Sequence, residues 1–272
     1  MPALSPQPVH PPAASHYGLR PRSVVLLTPV DPAPDTPVDP AWGRGQNLAA
    51  ALAQALDQSA TRCRLLIPGL HQGEAIRNAL TDAARTSQTL VVYIAGQLHA
   101  DDQGRLSLAG SGARSADCRK LSWASLIRTM AQATPAERLL LLDVQATAPA
   151  WERLAAAGPT APRLLTAPGV ALLGQVSASA TAASPLLGGY WTATLTCLLR
   201  DGVPGAPASL RAGDLHRLLE HRGRPRSSSR LVLFQAGQGP GVAFRNAAAA
   251  RGSYESPAVD HQYLRRRTTP SL

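Results

Sequence analysis

Short apolar runs alternate along this chain with segments in which apolar residues recur every three or four positions. Ser23–Thr28 is continuous and rich in valine and leucine, which is typical of a strand buried on both faces. Asn47–Gln58 places Leu48, Leu52 and Leu56 on one helical stripe. This alternation predicts an α/β fold in which crossover helices join the strands of a mostly parallel sheet.

The rest of the chain divides into elements of the same two kinds. Further strands are expected at Cys63–Ile67, Thr89–Ile94, Leu139–Leu142, Gly169–Val176 and Arg230–Gln235, with a last strand pair around Gly241–Arg245. Further helices are expected at Glu74–Arg85, Ala150–Ala157, Pro185–Arg200 and Ser209–His221, and Ser122 is expected to cap one that buries Trp123, Leu126, Ile127 and Met130. Asp102–Gly104 predicts the turn of a small hairpin.

Composition separates the two ends of the chain from its middle. Residues 1–22 are rich in proline, serine and alanine, so they bury too little apolar surface to offset the entropy of ordering, and we expect a disordered arm. Residues 249–272 are polar and include Arg265, Arg266 and Arg267, which predicts a basic flexible tail. One folded domain, residues 23–248, remains between them.

The chain carries a formal net charge of +10, almost entirely from arginine, since Lys120 is the only lysine. A GC-rich genome encodes this preference for arginine, alanine and proline, so the charge alone is weak support for nucleic-acid binding. A basic protein that uses Arg265–Arg267 and the loop His221–Arg230 to hold nucleic acid is therefore an alternative that we keep but disfavour.

The three cysteines, Cys63, Cys118 and Cys197, are far apart in the sequence and do not form a Cys-x-x-Cys pair. This spacing predicts no disulfide framework and no zinc site, and the five-residue separation of His216 and His221 predicts no metal pair on one helical face. No apolar run has the length of a signal peptide core or of a membrane span. We therefore expect a reduced, cytoplasmic protein without a cofactor or a membrane partner.

Polar side chains follow two of the predicted central strands. Gln97 lies beyond the first of them, and Asp143 and Gln145 lie beyond the second, so we expect all three just past the carboxyl ends of the strands. In an open parallel sheet, ligands bind at that edge because the connections and the helix N-termini converge there. Their placement is that of an active site.

Two segments carry a family resemblance: Leu90–Leu98 (LVVYIAGQL) and Leu139–Ala148 (LLLLDVQATA). Together with residues 74–96, 101–108 and 231–247, they make the span from about residue 23 to 246 similar to the bacterial caspase-like, or metacaspase-like, cysteine peptidases of clan CD. In that family the first strand leads to Gly-His-Gly and the second to Asp-x-Cys-His-Ser-Gly. The resemblance implies a caspase-like three-layer α/β/α sandwich.

The resemblance places glutamines at both reactive positions. Gln97 takes the place of the general-base histidine, and Gln145 takes that of the nucleophilic cysteine. A carboxamide neither titrates nor attacks a carbonyl near neutral pH, so peptidase activity is predicted to be absent. Asp143 matches the acid that helps such enzymes bind a basic substrate side chain. It is either a remnant of that pocket or a structural carboxylate that accepts backbone N–H bonds.

An inactive caspase-like domain implies a binding, scaffold or regulatory subunit of a bacterial system. We expect a protein partner, with an active caspase-like peptidase as one candidate and a homodimer through Leu231–Gln235 as another. The alternative is an active endopeptidase with a relocated dyad, in which His99 acts with Cys118 or Cys197. This alternative is disfavoured, because a loop histidine beside Asp101 and Asp102 is more often solvated and no turn presents Cys118. Cys197 is expected in the middle of a helix with its side chain in the protein core.

Overall fold

The protein is described by a computed structural model that covers residues 22–27, 40–56, 61–66, 73–109, 121–178, 189–222, 230–237 and 241–252. The predicted N-terminal arm, apart from Arg22, lies outside the described residues. The same holds for the tail from residue 253 onward, for Cys118, and for residues 223–229 of the arginine-rich loop.

Strands and helices follow one another through most of the described chain. The strands are β1 (Arg22–Leu27), β2 (Thr61–Leu66), β3 (Thr89–Ala100), β4 (Leu106–Ala109), β5 (Leu121–Ser122), β6 (Glu137–Ala146), β7 (Ala171–Ala178), β8 (Ser209–Arg211), β9 (Arg230–Gln235) and β10 (Ala243–Arg245). The helices are α1 (Pro40–Ala55), α2 (Gly73–Thr86), α3 (Trp123–Ala131), α4 (Ala148–Ala157), α5 (Ala161–Leu165), α6 (Tyr190–Asp201), α7 (Ala212–Arg222) and α8 (Ala247–Gly252).

Six strands form the main path of the sheet, in the order β2-β1-β3-β6-β7-β9. The first five run parallel to one another, and β9 pairs with β7 in the antiparallel sense. The far end of β3 continues into a hairpin with β4, to which β5 is added. A separate antiparallel pair joins β8 to β10. The prediction of an α/β fold with a mostly parallel sheet is confirmed.

Alternate side chains of β3, β6 and β7 enter two different cores. Even-numbered residues such as Ile94 and Leu142 pack in one core with apolar residues of α2, α3, α4 and α5. Odd-numbered residues such as Tyr93 and Leu141 pack in the other core with apolar residues of α1, α6 and α7. Because side chains along a strand point to opposite faces, both faces of the sheet are covered, and the strands read as continuous apolar runs.

Most predicted elements are confirmed within a few residues. The cap of α3 is also confirmed, since the hydroxyl of Ser122 accepts a hydrogen bond from the backbone N–H of Ser125 at 3.4 Å. Trp123, Leu126, Ile127 and Met130 are buried, as the helical periodicity predicts. Helix α1 begins at Pro40 rather than at the predicted Asn47. The two glycines in its first turns lower the local helix propensity and concealed that start.

Other features also differ from the predictions, among them the unpredicted helix α8, which includes the first residues of the predicted tail. Ser209–Arg211 was predicted as the start of a helix but is the strand β8, because pairing with β10 overrides the local preference. Helix α5 was not predicted, since a five-residue helix with proline in its first turn leaves too short a periodic signal. Strands β3 and β6 run beyond their predicted ends because each continues to pair with its neighbours.

Candidate functional site

One face of the central sheet changes from apolar to polar toward the carboxyl ends of its strands. The face is the one covered by α1, α6 and α7. Going along β3, β6 and β7 in register, one row is Tyr93, Leu141 and Leu173, the next is Ala95, Asp143 and Gln175, and the next is Gln97, Gln145 and Ser177. We call the last two rows the polar strip. It brings the three site residues predicted from the sequence onto one surface.

Gln97 and Gln145 lie directly opposite each other on adjacent parallel strands, and both are half-buried. Neighbouring strands are about 4.8 Å apart, so side chains at these two positions are close enough to touch. The sequence predicted them just past the strand ends, whereas both lie within their strands, because β3 pairs with β4 and β6 beyond this point. The expected proximity of the two positions is correct, although their expected position beyond the strands is wrong.

Gly96, which precedes Gln97, has an unusual backbone conformation. Its φ is 154°, a value that residues with a side chain rarely adopt and that glycine tolerates. Backbone geometry of this kind tends to occur at functional sites, where the surrounding structure holds it in place. A backbone conformation that favours glycine therefore lies immediately before the position that the resemblance assigns to the histidine.

His99 lies two residues further along β3 and contacts Gln97. Its Nε2 atom is 3.2 Å from Oε1 of Gln97, and the imidazole is half-buried. Residues 97 and 99 point to the same face of the strand, because side chains alternate along it. An imidazole therefore remains at the edge of the polar strip, displaced by one row from the position that the family uses.

Asp143 is the buried charge of the polar strip. Only 5% of the residue is exposed. Its Oδ1 accepts a hydrogen bond from Nε2 of Gln175 at 2.8 Å, and its Oδ2 accepts one from the hydroxyl of Thr192 on α6. The sequence left two roles open for Asp143, a pocket remnant or a structural carboxylate that accepts backbone N–H bonds, and it did not predict these two side-chain donors. Both carboxylate oxygens are engaged within the fold, and a role in substrate binding stays a prediction.

Tyr93 extends the hydrogen-bond network of Asp143 into the core. Its hydroxyl is 2.8 Å from Oγ1 of Thr192, and because that threonine donates its only hydroxyl proton to Asp143, Tyr93 must be the donor. Burial, together with the negative charge of Asp143, raises the pKa of Tyr93 far above its ordinary value. The phenol therefore stays protonated at every physiological pH and keeps donating.

The sequence did not single out Gln175 and Thr192, although both complete this network. Gln175 could have been noticed because it is a polar residue within the apolar run of β7, where its neighbours are buried. Thr192 carried no comparable signal, since threonine is ordinary near the start of a helix. Its contact with Asp143 spans 49 residues of sequence and depends on how α6 packs on the sheet.

The described thiols lie away from the polar strip. Cys197 was predicted to be in the core but is exposed on α6, because its helical neighbours Leu195 and Leu198 face inward instead. Cys63 is exposed on the edge strand β2, with β1 between it and β3. Its sulfur lies 3.8 Å from the carbonyl oxygen of Ala49, and partial burial raises the pKa of this thiol. Cys63 therefore lacks the setting of an activated nucleophile. Cys197 accepts a contact from Nη2 of Arg200 at 4.0 Å on the exposed face of α6.

The described residues contain no group of three or more histidine, cysteine, aspartate or glutamate side chains that could hold a metal ion. His216 stacks on Phe234 and lies 3.6 Å from Glu220, whereas Nδ1 of His221 contacts the carbonyl oxygen of Arg217. These two histidines have separate environments. Across the part of the chain that the structure covers, no helix is both long and apolar enough to cross a membrane.

Comparison with known proteins gives a fold but no family. No protein-family model and no curated protein matches the chain. Protein GSU0716 from Geobacter sulfurreducens is similar in structure, with a TM-score of 0.54 and 11% identity over 84% of this chain and 98% of that chain. The Drosophila initiator caspase Dronc is similar with a TM-score of 0.50 and 9% identity, over 85% of this chain and 88% of that chain. The chain therefore has a caspase-like α/β fold, in which helices flank a mixed and mostly parallel sheet.

Proposed function

We propose that this protein is a catalytically inactive caspase-like domain that acts as a binding, scaffold or regulatory subunit of a bacterial system. One observation carries the proposal: Gln97 and Gln145 oppose each other on adjacent strands at the positions that the resemblance assigns to the dyad. Thiol peptidases need a thiolate to attack the carbonyl and an imidazole to protonate the leaving amine. Two carboxamides supply neither group.

Two further observations support a domain whose structure is retained without the reaction. Gly96 keeps a backbone conformation suited to glycine beside position 97, and Asp143 remains buried in a satisfied network one row below the two glutamines. These features belong to the scaffold around the two positions. A subunit that serves by binding needs this scaffold and does not need the nucleophile.

The partner we propose is another protein, either an active caspase-like peptidase or a second copy of this chain. Strand β9 lies at the end of the main strand path, and the described residues pair it with β7 alone. A strand at the end of a sheet can accept a strand from another molecule. Sedimentation of the purified chain, alone and mixed with a caspase-like peptidase from the same genome, distinguishes the two candidates.

The intact protein should not hydrolyse peptides. Fluorogenic peptides that end in arginine, lysine or aspartate should be cleaved no faster than by the variant in which Cys63, Cys118 and Cys197 are all alanine. Loss of the nucleophile costs a protease about a million-fold in rate, so even weak thiol catalysis would stand out. A thiol-reactive activity probe should label the cysteines of the native protein no faster than it labels those of the unfolded protein.

A relocated dyad makes the opposite prediction in the same assay. Hydrolysis that is lost on His99→Ala and on a single cysteine-to-alanine substitution would establish an active endopeptidase and overturn the proposal. The position of Gln97 between His99 and the rest of the polar strip argues against it, since the imidazole already contacts that amide. Cys118→Ala and Cys197→Ala each remove one candidate nucleophile, and Cys63→Ala is the control, since Cys63 is exposed on the edge strand β2 and belongs to neither candidate dyad.

A further inference from the structure

The two-stranded sheet of β8 and β10 presents two arginines on its outer face. Arg211 and Arg245 are exposed, whereas Leu210 and Phe244, which alternate with them, are buried in the core that α1, α6 and α7 share. Side chains along a strand point to opposite faces, so both arginines lie on the face turned away from that core. We call this outer face, with Ser209, Arg211 and Arg245, the arginine face.

The strand register brings the two arginines close together. Arg211 pairs with Ala243, and Arg245 pairs with Ser209, so the arginines are diagonal neighbours across the ladder. Diagonal neighbours on one face of an antiparallel pair lie about 7–8 Å apart, within reach of two long side chains that converge on one ligand. The residue opposite each arginine is small, so neither opposite side chain fills the space between the two guanidinium groups.

Neither arginine is neutralised within the part of the chain that the structure describes, where neither guanidinium has an ion pair or a hydrogen bond. Two carboxylates of this region are already paired, Asp201 with Arg200 at 2.9 Å and Asp214 with Arg217 at 2.6 Å. The other oxygen of Asp214 accepts from the backbone N–H of Arg211 at 2.9 Å, not from its side chain. Two neighbouring positive charges repel each other, and a bound anion relieves that repulsion.

The strand pair that carries the two arginines is tied firmly to the rest of the domain. Asn246, which directly follows Arg245, is 1% exposed, and its Nδ2 donates to three carbonyl oxygens of residues 203–207. Its backbone N–H donates to the carbonyl oxygen of Ala208 at 2.8 Å, which continues the ladder by one residue. A site that is ordered before binding loses less entropy when its ligand arrives.

We propose that the arginine face binds a phosphorylated side chain of a protein partner. Arg211 and Arg245 donate to the phosphate oxygens through their planar guanidinium groups, whose paired N–H bonds match a phosphate, and the exposed Ser209 hydroxyl supplies a further donor. A phosphate monoester has a charge of about −2 at neutral pH, which the two arginines balance. This inference rests on the proposed role as a binding subunit and names the chemistry of the partner.

A single phosphate fits this face better than a nucleic-acid backbone does. Proteins that hold nucleic acid by its backbone engage several phosphates along a basic tract. The charges next to the arginine face are instead closed ion pairs, Arg200 with Asp201 and Arg217 with Asp214. Within the described residues of β8, β10 and the adjoining ends of α6 and α7, the excess positive charge is therefore limited to two side chains.

The first test measures phosphopeptide binding to the full chain by fluorescence anisotropy. The probes are short labelled peptides with phosphoserine at the centre and varied flanking residues, and the best should bind with a Kd of about 0.1–1 mM or tighter. Arg211→Ala and Arg245→Ala should each weaken binding about tenfold, as expected when charge-assisted hydrogen bonds are lost. The unphosphorylated peptides should not bind saturably. No saturable binding, or binding indifferent to both substitutions, would overturn the inference.

Two further variants separate binding from folding. Arg163→Ala removes one exposed positive charge from α5, on the opposite face of the main sheet, and should leave phosphopeptide binding unchanged. Arg245→Glu places a carboxylate diagonal to Arg211, so this variant should be at least as stable to heat as the native chain while losing phosphopeptide binding. Binding that survives Arg245→Glu would contradict the inference.

Two competitors identify the source of the phosphate. If a protein partner carries it, the best peptides should bind at least about tenfold tighter than inorganic phosphate, because the flanking residues add contacts. Inorganic phosphate that binds as tightly as every peptide would indicate a free anion as the ligand. Single-stranded DNA that binds more tightly than every peptide and is released by Arg211→Ala and Arg245→Ala would indicate a nucleic acid. Either result would overturn the inference.

This inference and the proposed function fail separately. Peptide hydrolysis by the native chain would end the inactive-domain proposal, whereas phosphopeptide binding would still report on the arginine face. Conversely, an arginine face that binds no phosphopeptide would leave the dyad argument intact and move the binding surface elsewhere.

Discussion

Replacing Asp143 with alanine should lower the free energy of unfolding by about 3 kcal/mol, because it strands two buried donors. The NH₂ group of Gln175 and the hydroxyl of Thr192 both lose their acceptor. Both residues are buried, as is Asp143, so water does not replace the lost acceptor. Urea denaturation followed by fluorescence measures the change. Asp82→Ala is the control, since its half-exposed ion pair with Arg64 should contribute less than about 1 kcal/mol.

The rest of the network should follow in a defined order. Thr192→Val removes a group that both accepts from Tyr93 and donates to Asp143, so its cost should fall below that of Asp143→Ala but above that of Tyr93→Phe. Tyr93→Phe removes the donor at the end of this hydrogen-bond network and should lower the free energy of unfolding by about 1 kcal/mol. If Tyr93→Phe proved the most damaging of the three, the network would not be organised around the carboxylate.

Gly174→Ala should destabilise the sheet by about 3 kcal/mol, because the new methyl group has no space. A Cβ built at this position would lie 2.3 Å from the carbonyl oxygen of Leu142 and 2.6 Å from its Cβ. The clash is mostly with the backbone of the adjacent strand β6, so it cannot be relieved by turning a side chain. The two strands would have to separate beside the row that contains Asp143 and Gln175.

Gly213→Ala provides the control for this prediction. In α7 the added Cβ would meet only the ring of Phe234, at an ordinary contact distance of 3.5 Å. Alanine is favoured over glycine in a helix by about 1 kcal/mol, so this substitution should be neutral or stabilising. Thermal unfolding of both variants measures the contrast, and equal destabilisation by the two would show that packing at Gly174 is not the cause.

Most of the sheet could be predicted from the sequence because its strands are buried on both faces. Thr89–Ile94 and Leu139–Leu142 are continuous apolar runs bounded by helical patterns, and both proved to be the centres of longer strands. Their extensions could not be predicted in this way, since residues such as Gln97 and Gln145 are polar and stay in the strands through pairing with neighbours. The prediction of a helix at Ser209–Arg211 was wrong for the same reason, because the strand that pairs with it, β10, is remote in sequence.

The candidate site was predictable only in part. The sequence placed Gln97, Asp143 and Gln145 at one edge of the sheet, and the register places them in adjacent rows of one face. The sequence could not predict the role of Thr192, which reaches Asp143 only because α6 packs there. It also could not predict that Oε1 of Gln175 and Nε1 of Trp191 are buried without a hydrogen-bond partner. Those depend on tertiary packing, and a periodic pattern contains no information about where a helix end will dock.

The most direct test of the central claim is to restore the missing pair. In a background where Cys63, Cys118 and Cys197 are alanine, Gln145→Cys alone should react with iodoacetamide like an ordinary thiol. Adding Gln97→His should lower the pKa of that thiol and raise its reactivity near neutral pH about tenfold, because the opposed strands bring the imidazole beside it. Identical pH profiles with and without Gln97→His would show that the two positions do not form a dyad site.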